Sequence, residues 1–414
     1  MRIAILGIRG VPAAYGGLES CAEEVGARLA ARGHEVLVYC RRGWGDDALT
    51  EYQGMRRIVL PSLKLKWTDT YSHSLLSIFH VLGQKPDIIL AFNPGIATLC
   101  MIPKLFGHKV LLHADGFDWR RKKWGWLART FIHRSASLAA KLCDRLIFDC
   151  ASARDYCAGR FWCAQPPVYI PNGTTPQPSE QPEVIRQYGL EKDGYFLFLS
   201  RIEPENMCDV IVRAFEGVKT DKKLFLAGGA IPGSKYLDTL KQTADPRIVL
   251  PGPIYDPLHV KELHYGAYAL VHGNQAGGTS VGLLKALAYG TCVVSLNTAD
   301  NAYVVRQAGL LYEPTVDDLR AKLQFAVDHA DQVQAYRRKA VERIGTEYLW
   351  DTIADTYEEL LVATLRNGKA RAVAAAPARQ WAADGPAATA APHGLSPARA
   401  PTHVTLPDNT RDPL

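Results

Sequence analysis

Near its start the chain reads Ile3-Ala4-Ile5-Leu6-Gly7-Ile8-Arg9-Gly10-Val11-Pro12-Ala13-Ala14-Tyr15-Gly16-Gly17-Leu18-Glu19, a short apolar run, a glycine-rich turn and the beginning of a helix. Leu18, Cys21, Ala22, Val25 and Leu29 then recur at helical spacing, Gly33 stops the helix, and Val36 to Cys40 supplies another strand. Further apolar runs follow at Ile88 to Phe92, Val110 to Leu112, Leu146 to Phe148 and Val168 to Ile170, with helical patterns between several of them. Short fully apolar strands alternating with helices predict a parallel sheet covered on both faces.

After Pro171-Asn172-Gly173 the composition changes. Thr174 to Pro182 holds three prolines, two glutamines and a serine, which reads as a linker. Strand-like runs resume at Phe196 to Leu199, Leu224 to Ala227, Ile248 to Leu250, Ala269 to His272 and Val293 to Leu296, so a second doubly wound α/β unit is predicted. The expected organisation is an N-terminal Rossmann-like domain over 1–175, a linker over 176–192, a C-terminal Rossmann-like domain over 193–345 and a closing helix over 346–367. Residues 368–414 are largely Ala, Pro, Arg and Thr, too poor in large apolar groups to offset their ordering entropy, and a disordered tail is expected there. Two such domains would set the C-terminal ends of their strands around a shared cleft, where open α/β sheets bind ligands.

Composition narrows the classes of function. The chain has 414 residues, 47% apolar and 22% charged, which suits two domains with sizeable cores. Its net charge of +6, from 48 basic against 42 acidic residues, is mild and gives no case for nucleic acid. The nine cysteines form no C-x-x-C pair, and Cys143, Cys150, Cys157 and Cys163 are spaced more loosely than zinc ligands. Free thiols in a reducing compartment are expected, with no metal and no cofactor. The first apolar run turns to Gly7 too soon for a secretory signal, and no run of about 18 apolar residues suits a bilayer span. A cytoplasmic location is therefore expected.

Three places suit an anion. Gly16-Gly17, ahead of a helix, can offer backbone N–H groups and the positive end of the helix dipole; a turn needing positive φ would explain the same glycines. This turn is not the dinucleotide fingerprint G-x-G-x-x-G, because Arg9 stands two residues after Gly7, which argues against a dehydrogenase. Arg201 follows the strand Phe196 to Ser200, where a guanidinium can fork onto a phosphate; pairing with Glu203 or Glu205 in its own loop is the alternative. The strongest signal is His272-Gly273-Asn274-Gln275-Ala276-Gly277-Gly278-Thr279-Ser280-Val281-Gly282-Leu283-Leu284-Lys285. It runs from a strand through a glycine- and hydroxyl-rich turn into a helix, bringing N–H donors, two hydroxyls and a helix N-terminus together.

With Asp115-Gly116-Phe117-Asp118-Trp119-Arg120-Arg121-Lys122-Lys123-Trp124, Ile170-Pro171-Asn172-Gly173 and Arg201-Ile202-Glu203-Pro204-Glu205-Asn206, these pieces resemble glycosyltransferase family 4, of GT-B fold. Within it they look like the rhamnosyltransferase-like branch of bacterial surface polysaccharide synthesis, and the likeness covers nearly everything except the tail. The resemblance implies that the C-terminal domain holds a nucleotide sugar while the N-terminal domain presents an acceptor, expected to be a lipid-linked saccharide. It further implies retention at the anomeric carbon and no required metal. Arg201 matches the family's phosphate-binding arginine, with Gly16, Gly17, Gly278, Thr279 and Ser280 completing the implied donor site. Asn206, expected to touch the donor as well, stands where many members carry a lysine, so one positive charge on the diphosphate is missing. Gly277 and Lys285 take the two positions of the family's Glu-x7-Glu motif, and the second is a departure.

In the family that second glutamate accepts hydrogen bonds from the ribose, and a protonated lysine can accept none. Lys285 must therefore change the donor site, by reaching a phosphate or by weakening it. The weakening alternative leaves a degenerate, non-catalytic partner of a polysaccharide assembly complex as the second function. A nucleotide-sugar 2-epimerase of the same fold finds no counterpart here for its acid/base carboxylates. Asp115 falls where the branch carries His or Asp near the reacting sugar, capping of the following helix being its alternative. His113 is a weaker candidate.

The positive charge is concentrated. Between Asp118 and Arg145 stand eight Lys or Arg (120, 121, 122, 123, 129, 134, 141 and 145) against two Asp, a local net of +6 that equals the excess of the whole chain. Trp119, Trp124 and Trp126 are interleaved, and Trp124, Leu127, Ala128, Phe131, Leu138 and Leu142 form an apolar stripe at helical spacing. Two expectations stay open: a solvated basic helix whose stripe packs on its own domain, or a face in which Trp119, Arg120, Arg121, Lys122, Lys123 and Trp124 meet anionic lipid and the acceptor's diphosphate. The second would make the protein peripheral at the inner membrane face.

Overall fold

The computed structural model describes residues 1–13, 16–64, 68–114, 116, 125–230, 233–275 and 278–366. Among these the strands form two sheets. The first comprises β1 (Arg2–Leu6), β2 (Glu35–Arg41), β3 (Glu51–Tyr52), β4 (Met55–Leu60), β5 (Ile88–Phe92), β6 (Lys109–His113), β7 (Arg145–Phe148) and β8 (Val168–Tyr169), in the order β3-β4-β2-β1-β5-β6-β7-β8. Its neighbours run parallel except in the β3–β4 pair. The second comprises β9 (Tyr195–Leu199), β10 (Lys223–Ala227), β11 (Ile248–Gly252), β12 (Ala269–His272), β13 (Cys292–Leu296) and β14 (Gly309–Tyr312), all parallel, in the order β11-β10-β9-β12-β13-β14. Both belong to one compact unit.

Helices α1 (Gly17–Ala31), α2 (Asp69–Gln84), α3 (Met101–Leu105), α4 (Trp126–Leu142) and α5 (Ala151–Arg160) accompany the first sheet. The second is accompanied by α6 (Cys208–Glu216), α7 (Lys235–Leu240), α8 (Pro257–Gly266), α9 (Val281–Ala288), α10 (Ala299–Val305), α11 (Val316–Asp328) and α12 (Ala330–Glu347), and α13 (Trp350–Arg366) closes the described chain. Side chains alternate along a strand. Ile3 and Ile5 of β1 thus join one core with Cys21, Val25 and Leu29 of α1, while Ala4 and Leu6 join another with Ile78 of α2 and Ala139 of α4. The predicted strands are all present. Unpredicted are β3, a pair of residues, β4, whose apolar pattern is broken by Arg56 and Arg57, and β14, a run of four residues.

The last helix returns to the first sheet. Trp350, Ile353, Tyr357 and Leu361 of α13 are buried in the core shared by β1 and α1, and a Cβ on Gly173 would lie 2.6 Å from the Trp350 ring. Leu361→Ala should therefore cost about 2–5 kcal/mol, read as a lower urea midpoint. The proline-rich segment expected to be a linker is tied down. Glu262 accepts from Ser179 Oγ at 2.5 Å, Glu180 N at 2.8 Å and Gln181 N at 3.1 Å, and these bonds hold its carboxyl below the usual range although burial acts the other way. Among the described residues no helix is long and apolar enough to cross a membrane, and no group of three His, Cys, Asp or Glu could hold a metal ion.

Helix α4 departs from its sequence pattern. It buries Ile132, Ser135, Ala136, Ala139 and Ala140. The bulky stripe is not the buried face: Leu127 is 66% and Phe131 49% exposed, beside Trp126 at 74%. The reason is packing distance, because a face of alanine and serine lets the helix approach its neighbours closely and leaves the large groups outside. Of the basic segment, Trp119, Arg120, Arg121, Lys122, Lys123 and Trp124 lie outside the described residues.

Candidate active site

The C-terminal ends of the two sets of strands meet along a seam. Asn172, just after β8, donates from Nδ2 to the Thr279 carbonyl after β12 at 3.1 Å. Ser152 of α5 donates to the Asp300 carboxylate of α10 at 2.8 Å. A Cβ on Gly17 would lie 3.8 Å from both Asn172 Nδ2 and Val281 Cγ2, so the starts of α1 and α9 adjoin.

On the second sheet's side, Arg201 stands two residues past β9. Its guanidinium is half exposed and lies 3.4 Å from Glu203. An exposed pair at that separation contributes only about 0–1 kcal/mol, so a phosphate can compete for the arginine. Asn206, expected to touch the donor, is buried and donates instead from Nδ2 to the Arg201 carbonyl at 2.7 Å. Its task here is to shape the loop that presents Arg201. That loop is stitched to the glycine turn: Gln275 N donates to Glu205 O at 3.0 Å, and a Cβ on Gly273 would fall 2.3 Å from Asn206 O.

The glycine turn itself is partly corrected. Thr279, which is buried, gives its hydroxyl to the Asp149 carbonyl, and Ser280 Oγ caps α9 by accepting from Leu283 N at 3.3 Å. The Thr279 hydroxyl is therefore spent, whereas Ser280 accepts the cap through its oxygen and keeps its O–H to donate. Beside it is the helix start, where the N–H groups of Val281 and Gly282 have no intrahelical acceptor. Gly278 adopts φ +120°, a region that favours glycine; Gly277 lies outside the described residues.

Lys285 is on the second turn of α9. Its amine makes no hydrogen bond or ion pair with any described residue. Loss of water lowers its pKa from the ordinary lysine value, with Glu24 of α1 acting in the opposite direction. Lys285 in turn adds to the burial that holds His264 of α8 down at about 3. A cation that is open to solvent and has no fixed partner, one turn beyond a helix start, suits an incoming anion.

On the first sheet's side, Gly16 is the N-cap of α1 with φ −158°, extended backbone, so positive φ does not explain it. The Glu19 carboxylate folds over this helix start: it accepts from Arg9 N at 3.4 Å, and a Cβ on Gly16 would meet its Oε2 at 3.1 Å. That carboxylate already answers the α1 dipole, which makes Gly16-Gly17 a weaker anion site than α9. The left-handed turn residues are Gly7 and Gly10. Asp115 lies outside the described residues. His113, at the end of β6, is buried and stacked on Phe92, and burial pushes its pKa down to about 3, so it is a neutral imidazole at working pH. Missed in the sequence was Asp149, which follows β7 and touches both Asn172 and the Thr279 turn. An acidic residue directly after an apolar strand was the available signal.

Two parallel α/β sheets meeting at their strand ends over such a turn define a GT-B protein, and solved structures share the fold. Sucrose-phosphate synthase from Thermosynechococcus elongatus superposes with a TM-score of 0.74 at 19% identity, covering 87% of this chain and 99% of that one. HepE from Anabaena, in complex with UDP and glucose, gives 0.73 at 17% identity, covering 88% and 100%. WaaG, a glycosyltransferase involved in lipopolysaccharide biosynthesis, gives 0.67 at 17% identity, covering 87% and 99%. No curated protein matches in sequence. Family models match the two parts of the chain in turn, the glycosyl transferase 4-like domain over residues 16–173 and the glycosyl transferases group 1 domain over residues 193–329. The chain belongs to the family 4-type glycosyltransferases.

Proposed function

We propose that the protein transfers a sugar from a nucleotide-sugar donor to a lipid-linked saccharide acceptor in bacterial surface polysaccharide synthesis, with retention at the anomeric carbon. The observation that carries this is that the Arg201 loop is stitched to the turn leading into α9 at one end of the second sheet, with Lys285 one turn into that helix. A structural neighbour that holds UDP and glucose supports the choice of donor class. As the glycosidic bond to the leaving diphosphate breaks, negative charge grows on its bridging oxygen. Arg201 and the α9 N-terminus are preorganised positive ends for that charge, and Lys285 restores the cation that the family places at the Asn206 position. Those groups serve the leaving group without a metal, so transfer should survive EDTA. Incubation with a panel of nucleotide sugars and a lipid-extract acceptor, followed by NMR of the product's anomeric proton, tests the proposal and identifies a rhamnosyl or hexosyl donor; an inverted linkage would overturn retention.

The second reading, a non-catalytic partner in a polysaccharide complex, is favoured only by Lys285 in the glutamate position. Transfer from any donor eliminates it.

For the acceptor, we read the outer face of α4 as resting on an anionic membrane at the cytoplasmic side. The helix carries Arg129, Arg134 and Lys141 and no acidic residue, and its exposed Trp126, Leu127 and Phe131 border a groove of about 480 Å³ together with Leu138. An aromatic, apolar and cationic face complements the interface of a bilayer containing acidic lipid. Phe131→Ser with Leu127→Ser should reduce co-sedimentation with phosphatidylglycerol vesicles several-fold, while leaving nucleotide binding intact. Co-sedimentation independent of anionic lipid content would contradict it.

A further inference from the structure

We propose that Asp149, supplied by the first half of the chain, is a positioning residue for the donor turn of the second half; the inference rests on the donor reading above. Asp149 is buried, as are Asn172 and Thr279. Its carbonyl accepts the Thr279 hydroxyl, its Oδ2 accepts Asn172 Nδ2 at 3.2 Å, and the same amide donates to the Thr279 carbonyl at 3.1 Å. These bonds close a ring through three segments: the end of β7, the Pro171-Asn172-Gly173 turn after β8, and the turn leading into α9. Gly278 completes the fit. A Cβ there would lie 3.0 Å from Asp149 Oδ2, so the turn runs with its backbone against the carboxylate at φ +120°.

The buried Asp149 carboxylate is held at Oδ2 by the Asn172 amide, which is bound in turn to the Thr279 carbonyl, so losing this arrangement would cost the buried acid that hydrogen bond. That arrangement fixes both Thr279 and Gly278, the residues immediately before the Ser280 cap, and thereby the direction in which the first N–H groups of α9 point. The anion-receiving end of α9 is thus set from the other half of the chain, 130 positions away in sequence. Asp149 has no need to touch the donor. Its effect passes through Thr279 and Asn172, and the donor site of the second half is complete only while the first half is engaged.

The test uses the full-length protein with Thr279→Val, which keeps the shape and removes the hydroxyl, and Thr279→Ser, which keeps the hydroxyl. Hydrogen exchange of amides 278–284 is measured without ligand, and UDP affinity by calorimetry. Thr279→Val is expected to speed exchange of this segment and to raise the UDP Kd at least tenfold, with Thr279→Ser within twofold of wild type on both. Wild-type exchange in Thr279→Val would overturn the proposal, as would faster exchange with an unchanged UDP Kd. If the wild type binds no UDP, the donor reading fails for that nucleotide, and the exchange comparison alone decides the positioning: faster exchange supports it, unchanged exchange overturns it. Should Thr279→Val fold poorly, Asn172→Ala, which removes the bridging amide, is read in the same way.

Discussion

Replacing Arg201 by alanine is expected to lower kcat by about 10²–10³, the scale found when a preorganised donor to developing negative charge is removed. The side chain stands past the end of β9, half exposed, and its carboxylate neighbour Glu203 is 3.4 Å away. Folding should be nearly indifferent to the change, since exposed pairs contribute little and no described core contact depends on the guanidinium. Nucleotide binding should weaken by about 1.5–3 kcal/mol, roughly tenfold to a hundredfold, because a charge-assisted hydrogen bond to phosphate is lost. Arg201→Lys should recover part of the binding and less of the rate, since an ammonium is a point charge without the bidentate fork. Calorimetry and initial rates separate the two effects. Equal activity in Arg201→Ala would remove the arginine from the leaving-group site.

Reversing the charge at Lys285 should have the second-largest effect. Lys285→Gln is expected to weaken diphosphate binding about tenfold, by loss of a charge-assisted bond. Lys285→Glu should weaken it further, because a carboxylate would face the phosphates where Glu24 already contributes negative charge. The wild-type pH dependence follows from the direction of the pKa shift. Dehydration favours the neutral amine, so the protonated form that attracts phosphate is lost at lower pH than for an ordinary lysine. Affinity should fall as pH rises into that range, and Lys285→Gln should flatten the profile. A gain in nucleotide affinity on Lys285→Glu would mean that the position still expects the family's ribose-binding carboxylate, and would favour the non-catalytic partner.

The fold was legible because parallel strands covered on both faces must be apolar throughout. All five residues of β5 are buried, and such runs cannot be mistaken for loops. Where a strand keeps charge the signal fails: Arg57 of β4 is buried, with its Nη1 donating to the Asp46 and Leu49 carbonyls, partners that no local pattern reveals. At the site, the sequence located Arg201 and the glycine turn, since both follow apolar strands. It could not assign the polar side chains around them. Asn206 and Thr279 are the right residue types for a phosphate, yet each donates within the protein, to a loop carbonyl and to a carbonyl of the other half, and Ser280 serves as a helix cap through its oxygen. Polar groups crowd a ligand turn partly because the turn itself needs them. The α4 stripe carries a similar lesson, since hydrophobic periodicity identifies an amphipathic helix but not which side meets the core when the opposite side is alanine-rich.

Calorimetric titration of the wild-type protein with UDP, GDP and dTDP is the most direct test that the Arg201 loop and the start of α9 form a donor site. At least one of them should bind with micromolar affinity, and Arg201→Ala should weaken that binding. Failure of all three to bind a folded wild-type protein would contradict the account.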